Sequence, residues 1–133
     1  MRVLALSPGN LLQQLERLPA LAAVAEQLDA QIQVACEPSH RALWNLLPSV
    51  EKVIPFPFAG DPNLAEWANL LGLVREPDFQ ACLNFATGRQ VNLMLSMSHI
   101  PVRVAAEGFS STALVSPDQG WKPQGLAAYL QPL

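Results

Sequence analysis

Short apolar runs alternate along this chain with longer segments whose apolar residues recur every three or four positions. The first run, Val3 to Leu6, breaks at Ser7-Pro8-Gly9-Asn10 and is followed by Leu11, Leu12, Leu15, Leu18 and Leu21 at helical spacing. This pattern predicts a strand, a tight turn and a helix to about Leu28. Asn10 is its N-cap, Asp29 closes it, and Pro19 should kink it or split it in two, because proline removes a backbone donor. Gln31 to Cys36 alternates and then turns apolar, a second strand. Glu37-Pro38-Ser39 is a turn, with Ser39 capping a short helix, His40 to Leu47, that carries Leu43, Trp44 and Leu47 on one side until Pro48 stops it. Val50 to Phe56 reads as a third strand ended by Pro55 and Pro57. The loop Phe58 to Pro62 leads to a helix from about Asn63 to Val74, with Leu64, Trp67, Leu70 and Leu71 as its buried face. Pro77-Asp78 turns the chain into a fourth strand, Phe79 to Phe85. Ala86-Thr87-Gly88 is a second strand-to-helix turn before a helix from Arg89 to Ser98, and Pro101 introduces a fifth strand, Val102 to Ala105. The remainder reads as irregular through Trp121, with a helical stub from about Pro123 to Leu130.

Strands separated by helices imply an α/β fold, a Rossmann-like three-layer sandwich with a mainly parallel sheet of about five strands, because parallel strands need right-handed crossovers. The expected order, 3-2-1-4-5, puts the topological switch between strands one and four, where open α/β sheets bind ligands outside the carboxyl ends of their strands. The turns Ser7 to Asn10 and Phe85 to Gly88 should therefore face one crevice.

Composition narrows what that crevice can serve. At 133 residues the chain is one domain with a real core. Half of it is apolar and only 14% is charged, so it is either a tightly packed domain or one whose apolar surface is covered by another domain, a subunit or a membrane surface. A net charge of −3 with scattered Lys and Arg disfavours nucleic acid. No run approaches the length of a membrane span or of a signal-peptide core, which makes the chain cytoplasmic, with peripheral membrane contact left open. Cys36 and Cys82 sit in apolar runs as buried thiols of a reducing compartment, and with His40 and His99 they make no zinc pattern. Nothing calls for a metal or another cofactor.

Candidate chemistry is sparse. Gly9 alone in the first turn is no dinucleotide fingerprint, and there is no P-loop lysine, so a glycine serving a tight turn is the plainer reading. Ser110-Ser111-Thr112 lacks a neighbouring His and reads as a polar loop or cap. Trp44 and Trp67 lie on apolar helix faces as core residues, whereas Trp121 is free to stack on a sugar. Glu16 and Glu107 are unpaired in sequence and read as solvated.

Together, MRVLALSPGNLLQQLERLPALAAVAEQL, the second strand, Pro48-x-Val-x-x-Val-Ile54 and the PDFQACLNF of Pro77 to Phe85 resemble the N-terminal half of the family 9 glycosyltransferases, the lipopolysaccharide heptosyltransferases. The resemblance covers nearly the whole chain. It implies one half of a GT-B enzyme: an acceptor-side domain whose donor-binding domain, absent from this sequence, is supplied by another domain or a partner protein. It places the family's Gly-Asp pair, with the Asp as general base, at Leu12 and Gln13. An amide cannot take up a proton, and a positioned base is worth ~10²–10⁴-fold in rate, so Gln13 marks degenerate chemistry while remaining able to hydrogen-bond a sugar hydroxyl. The family's polar motif after strand four falls near Asn84 to Gln90, where Arg89 could stand in for its arginine. The acceptor-binding set so implied is Ser7, Gly9, Asn10, Asn84, Thr87 and Arg89, with a carbohydrate or nucleotide sugar as ligand. The alternative is a stand-alone Rossmann-like module that binds a protein or a carbohydrate.

Overall fold

The computed structural model describes residues 1–105 and 111–114. Six parallel strands, β1 (Arg2–Ser7), β2 (Gln31–Cys36), β3 (Val50–Pro55), β4 (Ala81–Asn84), β5 (Val102–Ala105) and β6 (Ala113–Leu114), form one sheet in the order β3-β2-β1-β4-β5-β6. The expected five-strand order is present, and the two-residue β6 extends it where the sequence reads as irregular. The stub at Pro123 to Leu130, Trp121 and Glu107 lie outside the described residues. The connecting helices are α1 (Leu11–Leu28), α2 (Arg41–Trp44), α3 (Leu64–Arg75) and α4 (Arg89–Ser96).

The alternation of β1 sorts the core into two layers. Val3 and Ala5 face a cluster with Leu21 and Val24 of α1, Trp44 of α2, and Val34 and Leu83 of the flanking strands. Leu4 and Leu6 face the opposite cluster with Leu70 and Val74 of α3 and Val91, Met94 and Leu95 of α4. Residues 3 to 6 are wholly buried, as a central parallel strand covered on both faces requires, and this is why the run reads as continuously apolar.

Local chemistry sets the element ends. Asn10 and Gln13 form a reciprocal capping box at the start of α1, and Asn63 and Glu66 form another at the start of α3. Asp29 ends α1 in the left-handed region at φ 50°, its N–H bonded to the Ala25 carbonyl. Several expectations are corrected. α1 is one uninterrupted helix through Pro19, not two pieces; Pro19 is exposed, while Ala20, Leu21, Val24 and Ala25 anchor the next turns in the core. Ser39 lies inside a 3-10 turn, Pro38–His40, followed by the single turn of α2, and it makes no cap. Leu64 is 85% exposed, because the first turn of α3 overhangs a groove shared with Leu93 of α4 and with Met97 just past its end; the buried stripe is carried instead by Leu70 and Val74, with Trp67 and Leu71 at its flank.

The expected boundaries of strand four and of the helix after it also contract. The Gln80 and Phe85 amides still bond to the Arg2 and Leu6 carbonyls of β1, which carries the pairing one residue past each end of β4. α4 closes at Ser96, where Met97 and Ser98 bond back three residues, to the carbonyls of Met94 and Leu95.

Candidate functional site

The turn between β1 and α1 is locked from inside. Gln14 is fully buried one position past the capping box, and its Nε2 points at three consecutive carbonyls, those of Ser7 (2.9 Å), Pro8 (3.1 Å) and Gly9 (3.2 Å), which share its two hydrogens. Its Oε1 accepts from the Ser7 hydroxyl (2.6 Å) and from the Trp44 indole N–H (2.8 Å). Arg17 closes the far side, donating to Ser7 Oγ at 2.9 Å and to the Pro8 carbonyl, with its guanidinium 4.8 Å from the centre of the Phe85 ring. Burial lowers the Arg17 pKa to about 10, against a smaller opposing effect of Glu16.

The outer side of the same turn is set by Gly9 and Gln13. Gly9 has φ +109°, and a Cβ there would stand 2.2 Å from Gln13 Oε1. That oxygen accepts from the Asn10 N–H (2.9 Å), while Asn10 Oδ1 accepts from the Gln13 N–H (3.0 Å). The Gln13 acceptor is thus occupied by its own helix cap.

Beside this turn, at the carboxyl edge of the sheet, lies a cavity of about 270 Å³. The β1–α1 turn contributes Pro8 and Gly9, and the β4–α4 turn contributes Ala86 and Thr87, with Gln90 and Val91 of α4 behind them. The two turns predicted to share a crevice do share it. A third wall was not anticipated from sequence: Phe58, Ala59, Asp61 and Pro62 of the β3–α3 loop, with Trp67 of α3. The loop is pinned across the sheet edge by Ala59 N–H to Glu37 Oε1 (2.6 Å) and by Phe56, whose ring lies 4.8 Å from those of both Phe58 and Trp67. The signal was present in Gly60-Asp61-Pro62, a tight turn at the carboxyl end of a strand, but two strands separate β3 from β4.

The residues implicated by sequence divide into groups. Gly9 and Thr87 line the cavity. Ser7 and Asn84 are buried: Ser7 belongs to the Gln14 network, and Asn84 Oδ1 accepts from the Ala86 N–H (3.0 Å) while its Nδ2 has no partner. Asn10 and Gln13 are exposed and engaged with each other. Arg89 opens α4, exposed and between the lining residues Thr87 and Gln90 without itself lining the cavity. Trp44 is core, as expected; Trp67 is half-buried with an unpartnered indole N–H and lines the cavity. His40 and His99 lie elsewhere, the latter 3.4 Å from Arg75 Nη2. Thr112 ties the chain to β5, its Oγ1 accepting from the Arg103 N–H at 2.7 Å. Both cysteines are buried free thiols, and burial pushes the Cys36 pKa up to about 11 and that of Cys82 higher still. A larger depression of about 810 Å³ lies at the amino edge, lined by Met1, Ala30, Ser49 and Gln80; these are strand beginnings, where such sheets do not bind ligands.

No family model and no curated protein sequence matches the chain. Solved structures do. E. coli heptosyltransferase WaaC, determined with ADP-2-deoxy-2-fluoro heptose, superposes with a TM-score of 0.77 at 16% identity, covering 98% of this chain and 48% of WaaC. The fold is that of family 9 glycosyltransferases. E. coli ADP-heptose lipopolysaccharide heptosyltransferase II gives a TM-score of 0.60 at 19% identity over 80% of this chain and 31% of that one. A family 9 glycosyl transferase from Veillonella parvula gives 0.61 at 10% identity over 81% and 32%. The chain therefore spans about half, or less, of the length of the structures it resembles. Among the described residues, no helix is long and apolar enough to cross a membrane.

Proposed function

We propose that this chain is the acceptor-side half of a family 9-type glycosyltransferase, holding a carbohydrate in the cavity between its β1–α1, β3–α3 and β4–α4 turns and unable to transfer sugar alone. The carrying observation is that 98% of the chain superposes on 48% of WaaC. The partner is a donor-binding half, in the same polypeptide or another. Leu11, Leu12 and Leu15, 52%, 65% and 46% exposed at the start of α1, support such a partner, because they form an apolar patch at the edge that carries the cavity. By the same resemblance the setting is lipopolysaccharide assembly on the cytoplasmic side of a membrane, and the buried reduced thiols suit that compartment. Gln13 supports the loss of stand-alone catalysis: it is an amide, and its oxygen already accepts the Asn10 N–H.

Saturation-transfer NMR on the 133-residue chain tests the division of labour. Maltotriose, a neutral oligosaccharide, should receive saturation and ADP-glucose should not. Saturation of ADP-glucose with none on maltotriose would overturn the assignment to the acceptor side.

A further inference from the structure

Away from the cavity, α3 and α4 run side by side in the same direction, from the carboxyl to the amino edge of the sheet, with an apolar groove of about 140 Å³ between them. Each side lines it at helical spacing, α3 with Leu64, Trp67 and Leu71, and α4 and its end with Gln90, Leu93 and Met97. No Asp, Glu, Lys or Arg falls between Glu66 and Arg75 or between Arg89 and His99, yet Leu64, Leu93 and Met97 are exposed. A helix on a water-facing surface normally turns charge outward, so two neighbouring uncharged outer faces mark a surface that something covers. The two sides differ in size. α4 and its end raise Leu93 and Met97, whereas α3 offers Ala65, Ala68 and Gly72, all exposed, and a Cβ on Gly72 would meet nothing within 4 Å. At the carboxyl end, Asp61 just before α3 and Arg89 at the start of α4 are exposed and make no hydrogen bond or ion pair among the described residues.

We infer that a second copy of this chain packs on this face, related by a two-fold axis along the groove, so that α4 of each copy lies over α3 of the other. That operation sets the large Leu93 and Met97 over the small Ala65, Ala68 and Gly72 twice, once in each direction, as a closed two-fold interface requires. A two-fold axis across the helices would instead stack α4 on α4 and α3 on α3, large on large and small on small. The axis along the groove also brings the start of α4 over the start of α3, where Arg89 of one copy meets Asp61 of the other; such a rim pair sets register more than affinity. Area favours a copy over a lone helix. Two helix faces ~10 Å wide and up to ~18 Å long expose about 600 Å², and twice that reaches the ~1,200 Å² lower end of specific interfaces, whereas one helix would cover only one side. Trp67 and Gln90 line both the groove and the cavity, so the second copy packs on the outer side of a cavity wall. The pairing does not depend on the cavity holding a carbohydrate.

Sedimentation equilibrium on the 133-residue chain tests this, over about 1 to about 100 µM, the range suited to an interface of this size. The mass should rise from 14.4 kDa towards twice that value. Leu93→Glu and Ala68→Lys each place a charge at an exposed position, so the urea midpoint should hold. Each variant alone should associate about tenfold more weakly or worse, because its dimer would bury unpaired charges. Mixed in equal amounts, the two variants should pair with each other more tightly than either pairs with itself, since the carboxylate introduced on α4 of one faces the ammonium introduced on α3 of the other. Failure of the mixture to recover pairing would overturn the packing of α4 over α3. A mass that stays at 14.4 kDa throughout would overturn the pairing altogether; co-sedimentation of that monomer with phosphatidylglycerol vesicles, abolished by Leu93→Glu, would then give the face to a lipid surface. Dimerisation untouched by either variant, and lost instead in Leu12→Glu, would contradict the inference by moving the contact to the exposed start of α1.

Discussion

Gln14 holds together more of the first turn than any other side chain, joining Ser7, Pro8, Gly9 and Trp44 through one buried amide. Gln14→Leu keeps the volume but takes the side-chain partner from the Ser7 hydroxyl proton, the Trp44 indole N–H and the Ser7 and Gly9 carbonyls, while the Pro8 carbonyl keeps Arg17. It should cost about 3 kcal/mol, since each buried group left unpaired costs ~1–3 kcal/mol and relaxation recovers part of the sum; urea unfolding reads this as a lower midpoint at unchanged slope. Gly9 makes a second prediction. Gly9→Ala meets both a positive φ and Gln13 Oε1 at 2.2 Å, so it should destabilise by about 2 kcal/mol, and Gln13→Ala in the same chain should recover part of that loss and not all of it. Additivity of the two changes would mean that the amide does not occupy that space. At this scale the sequence disclosed the Asn10 cap, because Asn-x-x-Gln before an apolar run is a local signature. It hid Gln14, whose partner Trp44 lies 30 residues away and which reads, among leucines, as one more polar helix residue. It also placed Gln13 near a ligand, where the structure shows its oxygen turned to the backbone.

Helices and loops differ in how far they could be read. The strands and α1 were legible because burial on two faces writes continuous apolar runs and a 3.6-residue period into the chain. The β3–α3 loop was not, since its contribution depends on the Glu37 carboxylate and on the Phe56, Phe58 and Trp67 rings folding it across the sheet edge. Pro19 tests the account of α1. Proline within a helix removes a hydrogen bond and crowds the preceding turn at ~3 kcal/mol, partly offset by ~0.4–1 kcal/mol from a stiffer unfolded chain. Because the helix continues through an exposed Pro19, Pro19→Ala should stabilise the chain by about 2 kcal/mol in thermal or urea unfolding; a loss of stability would show that proline at this position contributes to packing. Between β2 and β4 the thiols give an independent check on the two-layer core. Both folded pKa values are raised by burial, so the folded state holds these protons more tightly than the unfolded one. Stability from Cys36 is complete below the ordinary value of 9.0 and falls as pH rises through about 11. At neutral pH neither thiol should react with a disulfide reagent until the chain unfolds.

At the scale of the molecule, the fold is one sheet with a cavity of about 270 Å³ at its carboxyl edge and exposed leucines at the start of α1. Low charge and high apolar content are what a domain with a covered face requires, and they fit the superposition on half of WaaC. The central claim is that this chain works as one half of a pair. Its most direct test is the intact mass of the native polypeptide purified from its source cells, with identification of any stoichiometric companion. The account predicts either a mass well above 14.4 kDa or a companion polypeptide that binds a nucleotide sugar. A 14.4 kDa chain that purifies alone, with no such companion, would contradict it.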